Sequence, residues 1–463
     1  MPLALARIAA YDALRRVSAG EVDLARALAA TRARLADDRD RALAAEILSG
    51  TLRWRGLIDY LIARYAGRPL ERLDPEVVDI LRLSAYQVLY LDRVPASAVV
   101  HDAVDLTRRA GVASAAGFVN AVLRAFSRDR TQPPLPRWPP ADKTAGRAGV
   151  RTSQLDYLAV TASHPRWLAG RWLDRWGFEA AVAWTAFNNT PAPLTLRANV
   201  LVTSAQALAD ALAAHGVTVR PARFAPHALT VIEGNPLRTP VAATGALVVQ
   251  DEASQLEALA DGAQPGHRVL DCCAAPGGKT TALAADMNDR GLIVAADVRR
   301  RRVSLLAQTI DASRARSVRV VQADLRRSAP FRPVFDRVLV DAPCSGLGTL
   351  RRDPDVRWRR LEADLPRLVG AQHQLLTSAS ATVRPGGRLV YATCSGEIEE
   401  NEEVVAGFIA AHPEFRVLDL RDAAEWKGDD RFRLLDPEGR LRTLPHLHGL
   451  EAFFAAALVR VSL

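Results

Sequence analysis

Asp271-Cys272-Cys273-Ala274-Ala275-Pro276-Gly277-Gly278-Lys279-Thr280 joins a short apolar run, Arg268–Leu270, to a helical stretch starting near Lys279. Glycines between a strand and a helix let the backbone approach a ligand and present helix N-terminal amides to it. From Gly266 onward the same strand, loop, helix pattern repeats. Strand cores read at Arg268–Leu270, Leu292–Ala296, Ser317–Val321, Arg337–Val340 and Arg388–Ala392, with helices starting near Lys279, Arg299, Leu365 and Glu399. This alternation predicts an α/β, Rossmann-like domain: a doubly wound, mainly parallel sheet with helices on both faces. Ligands of such sheets bind at the carboxyl ends of the strands. The residues that follow each strand are therefore the candidates for chemistry.

Three cofactor classes use a glycine turn of this kind. The nicotinamide fingerprint G-x-G-x-x-G is absent. A phosphate-binding loop would end as Gly278-Lys279-Thr280 does, and Val338–Asp341 imitates a metal-holding strand end, but Cys273 stands where its first glycine is required. S-adenosylmethionine is the third class. Its ribose hydroxyls want a carboxylate after the second strand, about 20 residues past the loop. Asp297 follows Gly278 by 19 positions, and Asp324, after the third strand, can accept from an adenine amino group. A lone Asp ending a strand is usually a helix cap; two in register behind one glycine turn point to a ligand.

The fourth strand runs into Asp341-Ala342-Pro343-Cys344-Ser345-Gly346 and the fifth into Thr393-Cys394-Ser395. If those strands are neighbours, two thiols enter one crevice beside the methyl donor. One buried Cys is ordinarily an inert small hydrophobe. Two at matching strand ends suit a methylation whose acceptor needs covalent activation. Carbon 5 of cytosine is such an acceptor: a thiolate adding to carbon 6 makes carbon 5 nucleophilic. A base must then remove the carbon 5 proton, and Asp341 can hold or protonate ring nitrogen 3. Spacing alone leaves open which thiol attacks. A thiol reactive at neutral pH also requires a field favouring thiolate, expected from helix N-terminal amides and arginines.

The rest of the chain sets the context. Its length of 463 residues suggests about three domains, at roughly 150 residues each. A content of 49% hydrophobic and 24% charged residues is that of a globular protein and excludes collagen-like or wholly disordered chains. The longest charge-free stretch, Ala180 to Leu196, is broken by Asn188, Asn189, Pro191 and Pro193, which excludes a membrane helix. Arg and Asp interleave Met1 to Val17, so no signal peptide is expected, and the chain reads as cytoplasmic. Four cysteines without C-x-x-C spacing make neither a disulfide framework nor a zinc site, so no metal is expected. The net charge of +9 is compatible with a polyanionic partner.

Residues 1–128 read as an all-helical domain: Asp74 and Pro75 as N-cap and first helical residue, then apolar stripes through Val77–Val88, Val99–Leu106 and Phe118–Phe126. Residues 129–152 hold Pro133, Pro134, Pro136, Pro139 and Pro140 and read as a linker. Residues 153–255 read as a small α+β RNA-binding domain whose Trp167, Trp172 and Trp176 are core anchors, with stacking on bases the alternative, and residues 256–463 as the catalytic domain. Arg299–Arg302, Arg326, Arg327, Arg351, Arg352, Arg357, Arg359 and Arg360 are expected to supply phosphate contacts.

Together, Asp271–Thr280, Asp341–Gly346, Arg351–Trp358, Tyr391–Ser395 with Glu399-Glu400-Asn401-Glu402, and Leu444–Phe454 resemble the successive motifs of the NOL/NOP/Sun family of RNA 5-methylcytosine methyltransferases. The resemblance implies Cys394 as nucleophile, Cys344 as the thiol that resolves the adduct, and cofactor contacts from Cys273, Ala274, Ala275, Pro276, Gly277, Gly278, Lys279, Asp297, Asp324 and Asp341. Residues 1–128 resemble the helical RNA-binding fold of the NusB antitermination factor, through Leu81–Arg108 and Phe118–Leu123. That fusion implies 16S ribosomal RNA as substrate, alone or with early assembly proteins, for a monomeric enzyme. A transfer-RNA cytosine methyltransferase and a non-catalytic NusB-like RNA-binding factor are the alternatives.

Overall fold

The computed structural model describes residues 3–138, 146–327 and 329–461. The chain forms two compact units: residues up to Pro191 together with Leu350–Glu362, and Ala192–Thr349 together with Ala363–Leu463.

The second unit is built on a large sheet. Its strands are β1 (Arg268–Asp271), β2 (Leu292–Asp297), β3 (Val318–Gln322), β4 (Phe335–Asp341), β5 (Val383–Thr393), β6 (Phe415–Val417), β7 (Leu441–Arg442) and β8 (Phe454–Arg460). They lie in the order β6-β8-β5-β4-β1-β2-β3, with β7 paired to β8. β1 to β5 run parallel, and β8 pairs antiparallel with β5 and β6. Side chains alternate between two cores. Val269, Ile293, Leu339 and Val390 enter one; Leu270, Val294, Val338 and Leu389 enter the other. A parallel sheet covered on both faces needs such apolar runs, and each fully buried aliphatic contributes roughly 1.5–3 kcal/mol. The helices α1 (Gly278–Asp286), α2 (Arg300–Ser313), α3 (Leu365–Ser380) and α4 (Glu402–Ala411) follow β1, β2, β4 and β5 along the chain.

A second, antiparallel sheet in the same unit has the order Thr218–Pro221, Ala228–Glu233, Thr195–Ala198, Leu247–Val249. The helix Ala205–Ala213 buries Leu208 and Leu212 in a small core with Leu196 and Leu229.

The first unit is helical. Seven helices between Leu5 and Asp129 bury one core that includes Leu14, Ile47, Leu61, Leu81, Leu106 and Leu123. Asp74 does stand at the N-cap of Pro75–Tyr90, but its carboxylate accepts no cap hydrogen bond. The fixed φ of Pro75 starts the helix without it. Within the expected linker, 139–145 fall outside the described residues, and Gly146–Asp156 is already helical. Helices Arg166–Trp176 and Phe178–Asn189 carry a stack of Trp172, Trp184 and Trp176, with centroids 4.9 and 4.3 Å apart, so Trp172 is a core anchor.

Leu350–Glu362 belongs to this helical unit although its sequence lies inside the expected catalytic domain. Arg357 is fully buried and donates to the carbonyls of Ser163 (3.0 Å), Asn188 (3.3 Å) and Leu350 (3.3 Å) and to Asn189 Oδ1 (2.9 Å). Trp358 Nε1 donates to Leu52 O at 2.6 Å, and Asp355 accepts from Leu24 N at 3.2 Å. Arg357 is thus a structural cation that presents nothing to a phosphate, contrary to the sequence expectation.

Candidate active site

β1 delivers the glycine turn to the carboxyl edge of the large sheet. Burial pushes the Asp271 carboxyl up to about 7, although Thr280 Oγ1 donates to its Oδ2 at 2.7 Å; its Oδ1 is buried without a hydrogen-bond partner. Gly277, at φ +110°, caps the start of α1. A Cβ there would lie 3.0 Å from Thr309 Cγ2 and 3.1 Å from Leu306 Cδ1, so both conformation and space demand glycine. On neighbouring β2, Asp297 accepts from Arg299 N at 3.1 Å and pairs with Arg302 Nε at 3.3 Å. Arg302 also donates to the Ala275 carbonyl. It therefore ties the turn to β2 instead of reaching out to a phosphate. Asp324, after β3, is gripped by Arg326 Nε and Nη2 at 2.9 and 2.7 Å, hydrogen bonds that hold its carboxyl down at about 2.

Lys279, in the first turn of α1, donates to Asp341 Oδ2 at 2.6 Å and pairs with Glu257 Oε2 at 2.8 Å. Burial alone would lower the ammonium; the two carboxylates outweigh it and hold Lys279 charged. Glu257 is fully buried, and that burial pushes its carboxyl up against the pull of Lys279. Sequence reasoning misses Glu257 because it lies in the helix Glu252–Leu259, upstream of every strand-end motif.

β4 and β5 are adjacent and parallel, with Asp341 opposite Ala392. Cys344 and Cys394 therefore leave the sheet side by side. Their sulfurs lie 3.1 Å apart, and neither is in a disulfide. A disulfide would bring them to about 2.05 Å. The hydrogen bond with Cys344 pushes the Cys394 thiol up, burial adds to it, and the carboxylates of Asp341 and Glu257 push further. This differs from the thiolate-favouring field expected from sequence: the charges facing Cys394 are acidic, not arginines. Gly348 closes the base of the thiol loops, donating to Cys394 O at 3.0 Å and accepting from Ala452 N at 3.1 Å. A Cβ on Gly348 would strike Ala452 O at 1.9 Å. No sequence pattern singles it out, since the close approach is between segments far apart in the chain.

Among the described residues no group of three or more His, Cys, Asp or Glu could hold a metal ion, and no helix is long and apolar enough to cross a membrane. Strand order, glycine turn and strand-end carboxylates define a Rossmann-like, S-adenosylmethionine-dependent methyltransferase. The family model of the 16S rRNA methyltransferases RsmB/F matches residues 258–459, that of the NusB family residues 4–128, and that of the RsmF/B ferredoxin-like domain residues 164–238. The chain is 34% identical over 423 residues to the probable ribosomal RNA small subunit methyltransferase B of Bacillus subtilis, covering 91% of each. It is 32% identical over 464 residues to the ribosomal RNA small subunit methyltransferase B of Pseudomonas putida, covering 98% of each. The crystal structure of PH0851 superposes with a TM-score of 0.80 at 27% identity, covering 99% of each chain. The chain belongs to the ribosomal RNA small subunit methyltransferase B family.

Proposed function

We propose that this protein methylates carbon 5 of a cytosine in small-subunit ribosomal RNA through a covalent bond from Cys394 to carbon 6. The observation that carries the reading is the pair of unbridged thiols 3.1 Å apart, on the loops after two adjacent parallel strands, with Asp341 on one of those strands. Attack needs Cys394 deprotonated, and its raised pKa makes proton loss part of the cost of the step. The proton that leaves Cys394 passes to ring nitrogen 3, and Asp341, oriented by Lys279, accepts a hydrogen bond from that N–H, so that charge arriving in the ring is neutralised. Once carbon 5 carries the methyl group, Cys344, as thiolate, takes the carbon 5 proton; the electron pair returns to the ring and expels the Cys394 sulfur as thiolate, and ring nitrogen 3 gives up its proton.

The residues present fit S-adenosylmethionine. Asp297, Asp324 and Asp341 line the carboxyl edge around the glycine turn, and among the described residues Asp271 Oδ1 has no hydrogen-bond partner. That set of acceptors suits a ligand carrying hydroxyls and amines. Cys273–Lys279, Asp297, Asp324 and Asp341 would hold it, and when bound it supplies the methyl group. We assign residues 1–128 to RNA binding and the reaction to a monomer in the cytoplasm. RNA carrying 5-fluorocytosine, whose carbon 5 has no removable proton, is expected to trap the protein as a complex that survives a denaturing gel. A non-catalytic RNA-binding factor gives no such band. Mapping 5-methylcytosine in ribosomal and transfer RNA, with and without the protein, identifies the substrate.

A further inference from the structure

Each active-site cysteine is followed by a serine, and both serines converge on one buried carboxylate. Glu400 is fully buried, and among the described residues no Lys, Arg or His pairs with it. Its Oε2 accepts from Ser345 Oγ at 2.5 Å and from Ser395 Oγ at 2.6 Å. Its Oε1 accepts from Ser345 N at 2.8 Å and from Gln372 Nε2 at 3.0 Å. The two hydroxyl oxygens lie 3.2 Å apart, close to the spacing of the sulfurs one residue upstream.

Glu400 is itself held in place. Tyr391 donates to the Glu400 carbonyl at 2.5 Å, and the adjacent Asn401 donates to Ser395 O at 2.9 Å. Gln372, on α3, donates also to Pro343 O at 3.1 Å, one residue before Cys344. The network therefore ties the two thiol loops to each other. Burying a carboxylate without a cation is costly, and apolar packing would stabilise two loops better. What a satisfied polar network adds is a single fixed geometry.

We propose that Glu400 is the positioning residue that sets the separation of Cys344 and Cys394, by binding the serine beside each. The proposal rests on the covalent reading above, because only a reaction using both sulfurs on adjacent ring carbons needs that spacing. Glu400 touches no reacting atom; it acts through the two backbones.

The thiol separation can be read without methylation. Phenylarsine oxide bridges two nearby thiols: two As–S bonds form, and both S–H protons leave with the arsenic oxygen as water. In the full-length protein, with Cys344→Ala giving the background from Cys272 and Cys273, Glu400→Ala is expected to bind the arsenical at least about 10-fold more weakly. Glu400→Gln keeps part of the network and should fall between. In turnover, both variants should lose kcat, by up to about 100-fold for a misplacement near 1 Å. KM for RNA and for S-adenosylmethionine should stay within about twofold, a split that general loosening of the fold would not give. If Glu400→Ala does not fold, Glu400→Gln decides. Unchanged arsenical affinity in the folded variant overturns the clamp. Weakened arsenical binding, with a wild-type protein that never methylates cytosine, leaves the clamp standing and removes the functional reading instead.

Discussion

Cys394 and Cys344 are distinguished by what accumulates when each is lost. In the proposed mechanism Cys394 makes the bond to carbon 6, so Cys394→Ala is expected to yield neither methylated RNA nor a covalent complex. Without Cys344 the carbon 5 proton stays, so Cys344→Ala is expected to accumulate a methylated adduct on a denaturing gel; the reverse pattern would exchange the roles. The raised pKa of Cys394 also has a sign. If the Cys394 thiolate is the attacking species, as proposed, single-turnover rate should climb with pH past neutrality and show no plateau at the ~8.5 of an ordinary thiol. A rate flat from about pH 6 to 9 would place the proton elsewhere. For Asp297→Ala, loss of a charge-assisted hydrogen bond of about 1.5–3 kcal/mol should weaken S-adenosylmethionine binding by calorimetry. Unchanged affinity would leave Asp297 as the cap of Arg299 alone. Both thiols and Asp341 are legible in sequence because each lies at or within three residues of a strand end. Glu257 and Gly348 are not: one is helical, and the other is defined by what it touches.

At the scale of elements, Asp261 follows the helix Glu252–Leu259, fully buried and, among the described residues, without a hydrogen bond to either carboxylate oxygen. Burial pushes its carboxyl up to about 7, against the pull of Arg337 and Arg388. Unfolded, it titrates near ~3.9, so between those values the native chain keeps a proton that the unfolded chain has lost. Its contribution to stability is therefore greatest below about pH 4 and declines as pH rises through about 7. Asp261→Asn removes this slope; the variant should gain on the wild type in urea midpoint as pH rises from about 5 to 8. The central parallel strands β1, β2, β4 and β5 are readable because both their faces carry buried apolar residues; β3, at the edge, is readable from Val318, Val320 and Val321. β6 and Thr218–Pro221 escape such a reading: they are short edge strands, and Thr218–Pro221 buries no side chain fully. β5 begins at Val383, ahead of the Arg388 expected from sequence, because Pro385, Gly386 and Gly387 resemble a loop. The register shift between Phe335 and Arg337 accommodates them.

At the scale of the whole molecule, the basic excess divides between arginines paired within the chain and arginines proposed to meet phosphate. Arg302, Arg326 and Arg357 are committed to internal partners, whereas Arg299, Arg300, Arg301 and Arg327 are exposed. RNA affinity should fall by roughly 0.7–0.9 log units per log unit of salt for each phosphate neutralised. A flat titration would remove the exposed arginines as the binding surface. Arg357→Met should lower stability by about 3 kcal/mol or more in thermal or urea unfolding, since each stranded buried acceptor costs roughly 1–3 kcal/mol. An unchanged midpoint would mean that Leu350–Glu362 is held without the Arg357 hydrogen bonds. Charge-rich Arg351–Trp358 reads as a motif of the catalytic domain, because nothing in a sequence tells which core a segment joins.

That segment also fixes an order of events during synthesis. The helical unit draws its last piece, Leu350–Glu362, from beyond residues 192–349, which fold into the other unit. At about 5–20 residues per second, a ribosome needs on the order of 10–30 s to bridge that interval. Until then Leu52 O, Ser163 O and Asn189 lack Trp358 and Arg357 as partners. The N-terminal helices, though made first, are completed only after four of the five parallel strands have emerged.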